Sequence, residues 1–464
     1  MRRETGIRFK NDREGASRTT SAHAVNMDTT SAQQAEVKAA KVPLTPNQVR
    51  SFWAAWGGWA LDGMNSFIYA LVLVPALRDL LPRSGVEATP ANIGFYGGLL
   101  FALFLIGWGL SLVWGPFADR FGRARTLCLT IIFFSVFAML SGLATNVWSL
   151  AIFRLLSGVG IGGEWSMGGT LVAEAWPEQR RKMGAGLMHT GYYVGFLLAA
   201  IANFYFAARY GWRAMFFLGA APGFIIAFAY WGLQEPARWR EQRNKVGDQW
   251  TPRRAFFYLF SPEYLGKTLL NSTYMLVSII GLWAGSVYVP AAVTYLSNGA
   301  GNSAARSSDL ASYGSMLLAI GTIAGCVILP ALAEWWGRRA TMAVYFALML
   351  IFIAGGFGYV YYWQDGALPW FMVCLFFLGV GGANFAMYTL WVPEQYRTEC
   401  RASAFAFSTS VGRFVGAAVT FLVGAGVQHF HTIGIPVAWT AVAFVVGLLL
   451  LPFGDETKGK PLPA

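Results

Sequence analysis

The chain has 464 residues, of which 56% are hydrophobic and 12% are charged. Soluble domains are about 45–50% apolar and about 25% charged. The apolar residues form blocks of roughly 20, the length that a membrane-spanning helix needs, and the charges lie between the blocks. This pattern excludes a soluble globular enzyme, a disordered protein and a collagen-like rod.

The apolar blocks form two sets of six. The first set lies near 51–77, 92–114, 126–145, 148–173, 184–206 and 212–233, and the second near 267–290, 309–329, 341–362, 369–391, 402–426 and 433–452. None of them alternates strictly between apolar and polar residues. Because only helices and closed barrels satisfy the backbone in lipid, we predict an all-α integral membrane fold with twelve transmembrane helices.

The charged segments divide the chain and orient it. We expect a disordered tail over 1–50, a six-helix half over 51–233, a charged linker over 234–266, a second half over 267–452 and a tail over 453–464. With the N-terminus inside, 28 of the 35 Lys and Arg residues lie on the inner side and five on the outer side. Inner loops collect Lys and Arg, so both termini, the linker and both tails are predicted to be cytoplasmic. The net charge of +12 therefore reflects topology and does not indicate a nucleic-acid partner.

Two charged motifs recur in the two halves. Asp119, Arg120 and Arg123 follow the second predicted span, and Glu334 and Arg338 follow the eighth, at an offset of 215 for acid and arginine. An acid at a helix end can meet the N-terminus of a neighbouring helix or an arginine. We therefore predict that these five residues form gating contacts that hold one conformation.

A second repeat supports the same division. Pro-Glu-Gln occurs at 177–179 and again at 393–395, at an offset of 216. Two motifs with nearly one offset indicate two parallel copies of a six-helix unit. Parallel halves around a central path are typical of an alternating-access transporter.

The loop motif Gly-x-x-x-Asp-Arg-x-Gly-Arg-x-Arg at 115–125 is similar to the signature loop of the major facilitator superfamily. On this motif and its weaker repeat, the chain is identified as a member over residues 50–455. Arg154-x-x-x-Gly158-x-Gly160 resembles the sugar and organic-acid branches. The strings at 163–165 and 191–199 resemble sialate and monocarboxylate proton symporters, including the lactate-permease type. The resemblance implies secondary active transport by alternating access.

Five ionisable residues fall inside predicted spans: Asp62, Arg154, Glu164, His189 and Arg413. Such groups are costly in a membrane and are functional by default. Arg413 is predicted to bind a substrate carboxylate, because its guanidinium stays charged and offers a planar fork to an anion. The alternative is a structural arginine bonded to backbone carbonyls. Resemblance to organic-acid symporters with a Gly-Arg pair on helix 11 favours the substrate role.

Asp62 is the predicted proton carrier, with Glu164 as the second candidate. Resemblance to sugar–proton symporters, in which a helix 4 arginine works with a helix 1 acid, implies a pair between Asp62 and Arg154. Asn65 stands where related acid transporters carry a second aspartate, which leaves the coupling residue open. His189 titrates near neutral pH and could relay protons, but we favour a hydrogen-bonded structural role for it.

Polar and aromatic side chains are expected to line the cavity around Arg413. We assign substrate binding to Asn271 and Asn384 first, because they are amides within spans. Tyr and Trp also form belts at membrane interfaces, so the aromatic candidates are open to both interpretations. They are Tyr192, Tyr274, Tyr388 and Trp391, with Trp56, Trp59 and Tyr193 as further candidates.

These features favour a proton-coupled symporter that takes up a small organic anion, such as lactate or another monocarboxylate. The alternatives are a sugar or sialic acid proton symporter and a proton-driven drug exporter. No GxxxxGK[ST] or HExxH motif is present, which argues against an ATP-driven pump or an enzyme. We expect no metal and no cofactor other than the coupling proton, a bacterial inner-membrane location and a working monomer.

Overall fold

The computed structural model describes residues 43–202, 205–206, 208–246 and 251–463. Regular structure in these ranges is helical, which confirms the all-α fold class. Residues 45–464 form one compact unit. Of the predicted 1–50 tail, residues 1–42 lie outside the described residues, whereas Pro46 already begins the first helix.

The helices are numbered in chain order. They are α1 (Pro46–Leu80), α2 (Pro90–Leu110), α3 (Trp114–Phe121), α4 (Arg123–Gly142), α5 (Val147–Ala175), α6 (Glu178–Ala202), α7 (Ala208–Tyr230), α8 (Ala237–Val246), α9 (Pro252–Tyr258), α10 (Leu265–Val287), α11 (Val289–Gly299), α12 (Ala304–Trp335), α13 (Arg338–Gly358), α14 (Ala367–Gly382), α15 (Asn384–Trp391), α16 (Arg401–Phe430), α17 (Gly434–Trp439) and α18 (Val442–Leu450). The predicted linker thus contains two short helices, α8 and α9.

Eight helical segments of 19 to 27 residues in the described chain are long and apolar enough to cross a membrane, and the bent α1 makes nine if it is counted as one span. Their outer faces carry large apolar side chains. Ile225 is 70% exposed, Phe228 is 73% exposed and Leu449 is 69% exposed. Apolar faces of this kind are stable in lipid rather than in water.

Helix α1 begins with a capping box and contains a bend. The Thr45 hydroxyl accepts from Gln48 N at 3.3 Å, and the Gln48 side chain accepts from Thr45 N at 2.9 Å. The helix bends by 52° between residues 69 and 71. Pro75 explains the bend, because it lacks an N–H and its ring crowds the carbonyl of Leu71. Asp62 lies in the long segment before the bend, about 24 Å from its first residue.

Two glycines make equivalent sharp turns, one in each half of the chain. Gly122 connects α3 to α4 with a φ of 115°, and Gly337 connects α12 to α13 with a φ of 88°. Both values favour glycine, which has no Cβ to clash. The turns expose the N–H groups of the next helix.

Each exposed helix start is capped by a distant glutamate. Glu235 accepts from Arg123 N at 2.7 Å, and Glu456 accepts from Arg338 N at 3.0 Å. Burial raises the pKa of Glu235. Burial acts in the same direction at Glu456, but the backbone N–H groups that donate to it outweigh burial and lower its pKa. The Glu456 cap therefore stays charged to lower pH than the Glu235 cap.

Small residues let neighbouring helices touch through their backbones. A Cβ on Gly195 of α6 would lie 1.7 Å from the carbonyl oxygen of Ala60 on α1, and a Cβ on Gly321 of α12 would lie 2.1 Å from that of Phe376 on α14. At both positions a glycine allows a close contact between the backbones of two helices.

We predict that Gly195→Ala lowers the melting temperature of the detergent-purified protein, because its methyl group forces α1 and α6 apart. Overpacking typically costs about 1–3 kcal/mol. The matched control is Gly98→Ala on α2, where a Cβ would meet no atom within 4 Å. Differential scanning fluorimetry measures both, and equal melting temperatures for the two variants would contradict the packing.

Candidate functional site

A network of arginines and glutamates joins the two halves at one end of the helices, called here the charged end. Glu174, near the end of α5, accepts from Arg123 Nη2 of its own half at 3.1 Å. It also accepts from Arg401 Nη1, at the start of α16 in the second half, at 2.7 Å. All three side chains are fully buried. Glu174 therefore links α4, α5 and α16.

Glu394 makes the reciprocal set of contacts in the second half. It accepts from Nε and Nη2 of Arg338 at 2.9 and 2.8 Å, and from Nη2 of Arg181 on α6 at 2.9 Å. Each glutamate thus binds one arginine from its own half and one from the other. Bidentate and charge-assisted contacts of this kind are among the stronger protein hydrogen bonds.

This exchange corrects the register of the second repeat. Glu174 and Arg181 are seven residues apart, and so are Glu394 and Arg401, which gives an offset of 220. The predicted offset of 216 matched Glu178 with Glu394 and was wrong by four residues. The shared Pro-Glu-Gln letters caused the error, because Glu178 lies exposed in the first turn of α6.

The predicted gating residues lie in this network. Asp119 accepts from the backbone N of Ala402 at 3.2 Å and of Ser403 at 2.8 Å, at the positive start of α16. Glu334 of α12 pairs with Lys182 of α6. Arg120 lies over the adjacent Phe121 ring at 6.0 Å. The contacts of Asp119 and Glu334 join the two halves at the charged end in this structure, whereas the Arg120–Phe121 contact lies within one helix.

Neutralising one glutamate should open this end. In Glu174→Gln, Arg123 and Arg401 lose their shared anion, so we expect the buried thiol of Cys400 to react with a membrane-impermeant maleimide at least several-fold faster. The measurement uses a variant in which the other three cysteines are serine. Glu178→Gln, at an exposed site, is the control. Equal labelling rates in the two variants would refute the gating role.

Two acids meet in the interior, at the site predicted for proton coupling. Asp62 of α1 and Glu164 of α5 are both fully buried. Their carboxyl groups are close enough to share a hydrogen bond, yet no described residue donates to any of their four oxygens. Gly58, one turn before Asp62, makes the approach possible, because a Cβ there would lie 1.5 Å from Glu164 Oε1.

Arg413 lies beside this carboxyl pair. Its Cζ is 3.4 Å from the centroid of the Trp108 ring, in a cation–π contact. Its Nε and Nη1 have no hydrogen-bond partner among the described residues. Asp62 and Tyr192 are near enough to act on it electrostatically. The arginine is thus buried with most of its donors unused.

Arg154 does not pair with Asp62 in this structure, contrary to the predicted ion pair. Its guanidinium lies between the rings of Tyr69 and Phe104, with 4.3 Å from Cζ to each centroid. None of its three nitrogens has a hydrogen-bond partner in the described chain. The charged neighbours of Asp62 are Glu164 and Arg413.

Aromatic rings surround the carboxyl pair. Trp59 stacks on Trp165 with centroids 5.3 Å apart, and it lies tilted against Tyr192 at 5.0 Å. His189 lies parallel to Phe385 at 6.1 Å. The Nδ1 of His189 has no hydrogen-bond partner among the described residues, so ring stacking rather than the expected hydrogen bond holds this nitrogen's side of the imidazole.

Most of the predicted cavity residues are engaged elsewhere, within the second half. The contacts are Asn271 to Gln395 at 3.0 Å, Tyr274 to Leu450 O at 2.7 Å, Tyr388 to Ser278 at 2.7 Å, Trp391 to Asp455 O at 2.8 Å and Asn384 to Gly381 O at 2.8 Å. Of the six polar and aromatic candidates, Tyr192 is the one that lies near Arg413 in the described structure. Sequence reasoning missed Trp108 and Phe385, for which composition offers no signal beyond an aromatic within a span, and it used Trp165 only as part of the family string at 163–165.

Asn65 has a structural partner that suits an amide. Its Nδ2 donates to the Gly219 carbonyl of α7 at 2.9 Å and to Leu61 O at 3.4 Å. An ionised aspartate could not donate to either carbonyl. Asn65 therefore ties α1 to α7 and does not itself carry a proton.

Comparisons with known proteins agree with this architecture. The Major Facilitator Superfamily profile matches residues 55–421. The chain is 30% identical to the "Probable 4-methylmuconolactone transporter" of Cupriavidus pinatubonensis, over 89% of this chain and 92% of that protein. It is 24% identical to the sialic acid transporter NanX of Escherichia coli, over 90% and 96% of the two chains. These relatives are named as transporters and not as enzymes.

A solved structure shares the fold. The proton:xylose symporter XylE bound to 6-bromo-6-deoxy-D-glucose superposes with a TM-score of 0.71 at 17% identity, over 89% of this chain and 97% of the other. This likeness shows a common helical architecture.

Proposed function

The chain belongs to the Major Facilitator Superfamily, and from this premise we propose that it is a proton-coupled symporter that takes up a small monocarboxylate. One observation carries the proposal. Arg413 is buried with unused donors, beside two carboxyl groups that themselves lack a donor. The site therefore needs both an anion and a proton, and a carboxylate symporter supplies both.

Arg413 is the residue that favours an anionic substrate. The carboxyl pair can balance the charge of Arg413, but its Nε and Nη1 have no hydrogen-bond partner in the described chain, and buried donors without a partner are costly. A substrate carboxylate can accept two parallel hydrogen bonds from the planar fork.

Asp62 and Glu164 are the residues that favour proton coupling. Two ionised carboxylates in contact repel each other, so one shared proton both relieves the repulsion and supplies the missing donor. The pair then carries one negative charge and Arg413 one positive charge. When a substrate carboxylate arrives, a second proton restores neutrality. This balance gives one proton per monocarboxylate.

The relatives support an acid more than a sugar. The named relatives carry a lactone and sialic acid, and the proton:xylose symporter supports proton coupling on the same fold. Recognition of a sugar needs free amides. The amide donors of Asn65, Asn271 and Asn384 are already bonded within the protein, which counts against the sugar alternative.

We place twelve spans in a bacterial inner membrane, with both termini in the cytoplasm and the monomer as the working unit. To the eight apolar segments and the bent α1 this adds α5, α6 and α10, with 29, 25 and 23 residues. The excess of Lys and Arg on one side supports this orientation. The charged end is then the cytoplasmic gate, and its closure leaves the opposite side as the route of entry.

Proteoliposomes in weakly buffered medium with an external pH probe test the function. We expect external alkalinisation on adding lactate, pyruvate or benzoate, and none on adding glucose; alkalinisation with a sialic acid alone would favour the sialic acid alternative. Alkalinisation on adding glucose would overturn the proposal, and so would the absence of alkalinisation with every acid.

Arg413→Gln should raise the apparent KM for the transported acid at least tenfold, because the charge and the fork are both lost. Arg413→Lys should recover part of the affinity, since it keeps the charge alone. Arg209→Gln, at an exposed position, is the control. Full affinity in Arg413→Gln would exclude Arg413 from substrate binding.

Gly58→Ala should uncouple protons from substrate, because its Cβ displaces the Glu164 carboxyl from Asp62. We expect counterflow to persist while proton-driven accumulation falls at least tenfold. The neighbouring Gly57→Ala is the matched control, since its Cβ would meet a movable Ile226 Cδ1 at 3.1 Å. Equal accumulation in the two variants would show that contact between the carboxyls is not needed.

A further inference from the structure

Arg154 is a second buried cation that the proposed proton and substrate sites leave unexplained. It is fully buried on α5, and no hydrogen-bond partner for its three nitrogens lies in the described chain. Tyr69 and Phe104 cover its guanidinium at equal distances of 4.3 Å. Aromatic faces stabilise a cation, but they leave its N–H groups unbonded. The N–H groups of the Arg154 guanidinium are therefore still available to a ligand.

The two buried arginines lie on one aromatic stripe. Arg154 covers Phe104 and Arg413 covers Trp108, and these rings are one turn apart on α2 with centroids separated by 5.9 Å. The three contact distances place the two guanidinium carbons within about 14 Å of each other, a range at which like charges in a low-dielectric interior repel. An anion near either arginine relieves that repulsion.

The stripe runs along the transport axis. Arg154 precedes Glu174 on the same helix by twenty residues, about 30 Å. Arg413 follows Arg401 on α16 by twelve residues, about 18 Å. Arg154 is thus farther from the charged end than Arg413, on the side that the closed gate leaves as the entry route.

We propose that Arg154 forms a second anion-binding site, which takes the substrate carboxylate before Arg413 does. The inference rests on the proposed carboxylate transport. Because the aromatic contacts leave its N–H groups without hydrogen-bond partners in the described chain, the guanidinium can donate to both oxygens of a carboxylate. Passage from Arg154 to Arg413 follows the Phe104–Trp108 stripe.

The test measures benzoate uptake in right-side-out and inverted membrane vesicles that contain the full chain. Arg154→Gln should raise the KM about tenfold in right-side-out vesicles and leave the KM in inverted vesicles unchanged. Arg154→Lys keeps the charge without the fork and should lie in between; it also serves if Arg154→Gln does not fold. Arg209→Gln is the control. Equal KM changes in both orientations would overturn the entry site, because a structural arginine affects both directions.

Equilibrium binding of radiolabelled benzoate to the purified protein gives a second readout. The wild-type protein should bind two benzoates per chain and Arg154→Gln one. One site in the wild-type protein, or none, would overturn the inference. A failure of the proposed function has a different signature, because it appears as unchanged uptake in Arg413→Gln or as the absence of alkalinisation with every acid.

Discussion

Electroneutrality in the apolar interior is the constraint on which the rest of this molecule depends. Asp62, Glu164 and Arg413 lie together without water-exposed surface, where an uncompensated charge is expensive. With one proton between the acids, the cluster is neutral in the proposed mechanism. Any arriving anion disturbs that balance and any arriving proton restores it. Proton coupling then needs no chemistry beyond two carboxyls, a guanidinium and a dry environment.

The central cluster is connected to the charged end through the helices themselves. Helix α5 carries Glu164 at the centre and Glu174 ten residues later, about 15 Å away. Helix α16 carries both Arg401, which binds Glu174, and Arg413. A tilt of α5 against α16 therefore changes the distance between Arg413 and the carboxyls and strains the Glu174–Arg401 contact together. In the proposed mechanism, α5 and α16 therefore link substrate binding to gate closure.

The reciprocal exchange of arginines also explains how the two halves close against each other. Each half supplies the same set of one glutamate and two arginines, and each glutamate is satisfied when both halves are in contact. Opening the charged end removes an arginine from Glu174 and another from Glu394 together. A buried acid that loses half of its partners is costly, so partial opening is disfavoured. In the proposed mechanism the gate therefore has two well-separated states.

The sequence predicted how deep a residue lies in the membrane better than it predicted which residues it contacts. Apolar blocks and the loop repeat were sufficient for the helical class and the superfamily, and spans placed Asp62, Glu164 and Arg413 in the interior. Contacts between neighbouring helices were harder to predict from the sequence. The predicted Asp62–Arg154 pair gave way to two aromatic contacts for Arg154, because periodicity along one helix does not say which neighbour it faces. The sequence likewise did not predict that Asn271 donates to Gln395.

Infrared difference spectroscopy of the carboxyl groups tests the central claim most directly. In the absence of substrate, the account predicts the C=O stretching band of one protonated carboxylic acid, lost in both Asp62→Asn and Glu164→Gln because the two residues share the proton. Addition of benzoate should strengthen the band in the wild-type protein as the second proton binds. A band that survives in either variant, or no protonated carboxyl at neutral pH, would contradict a shared proton beside Arg413.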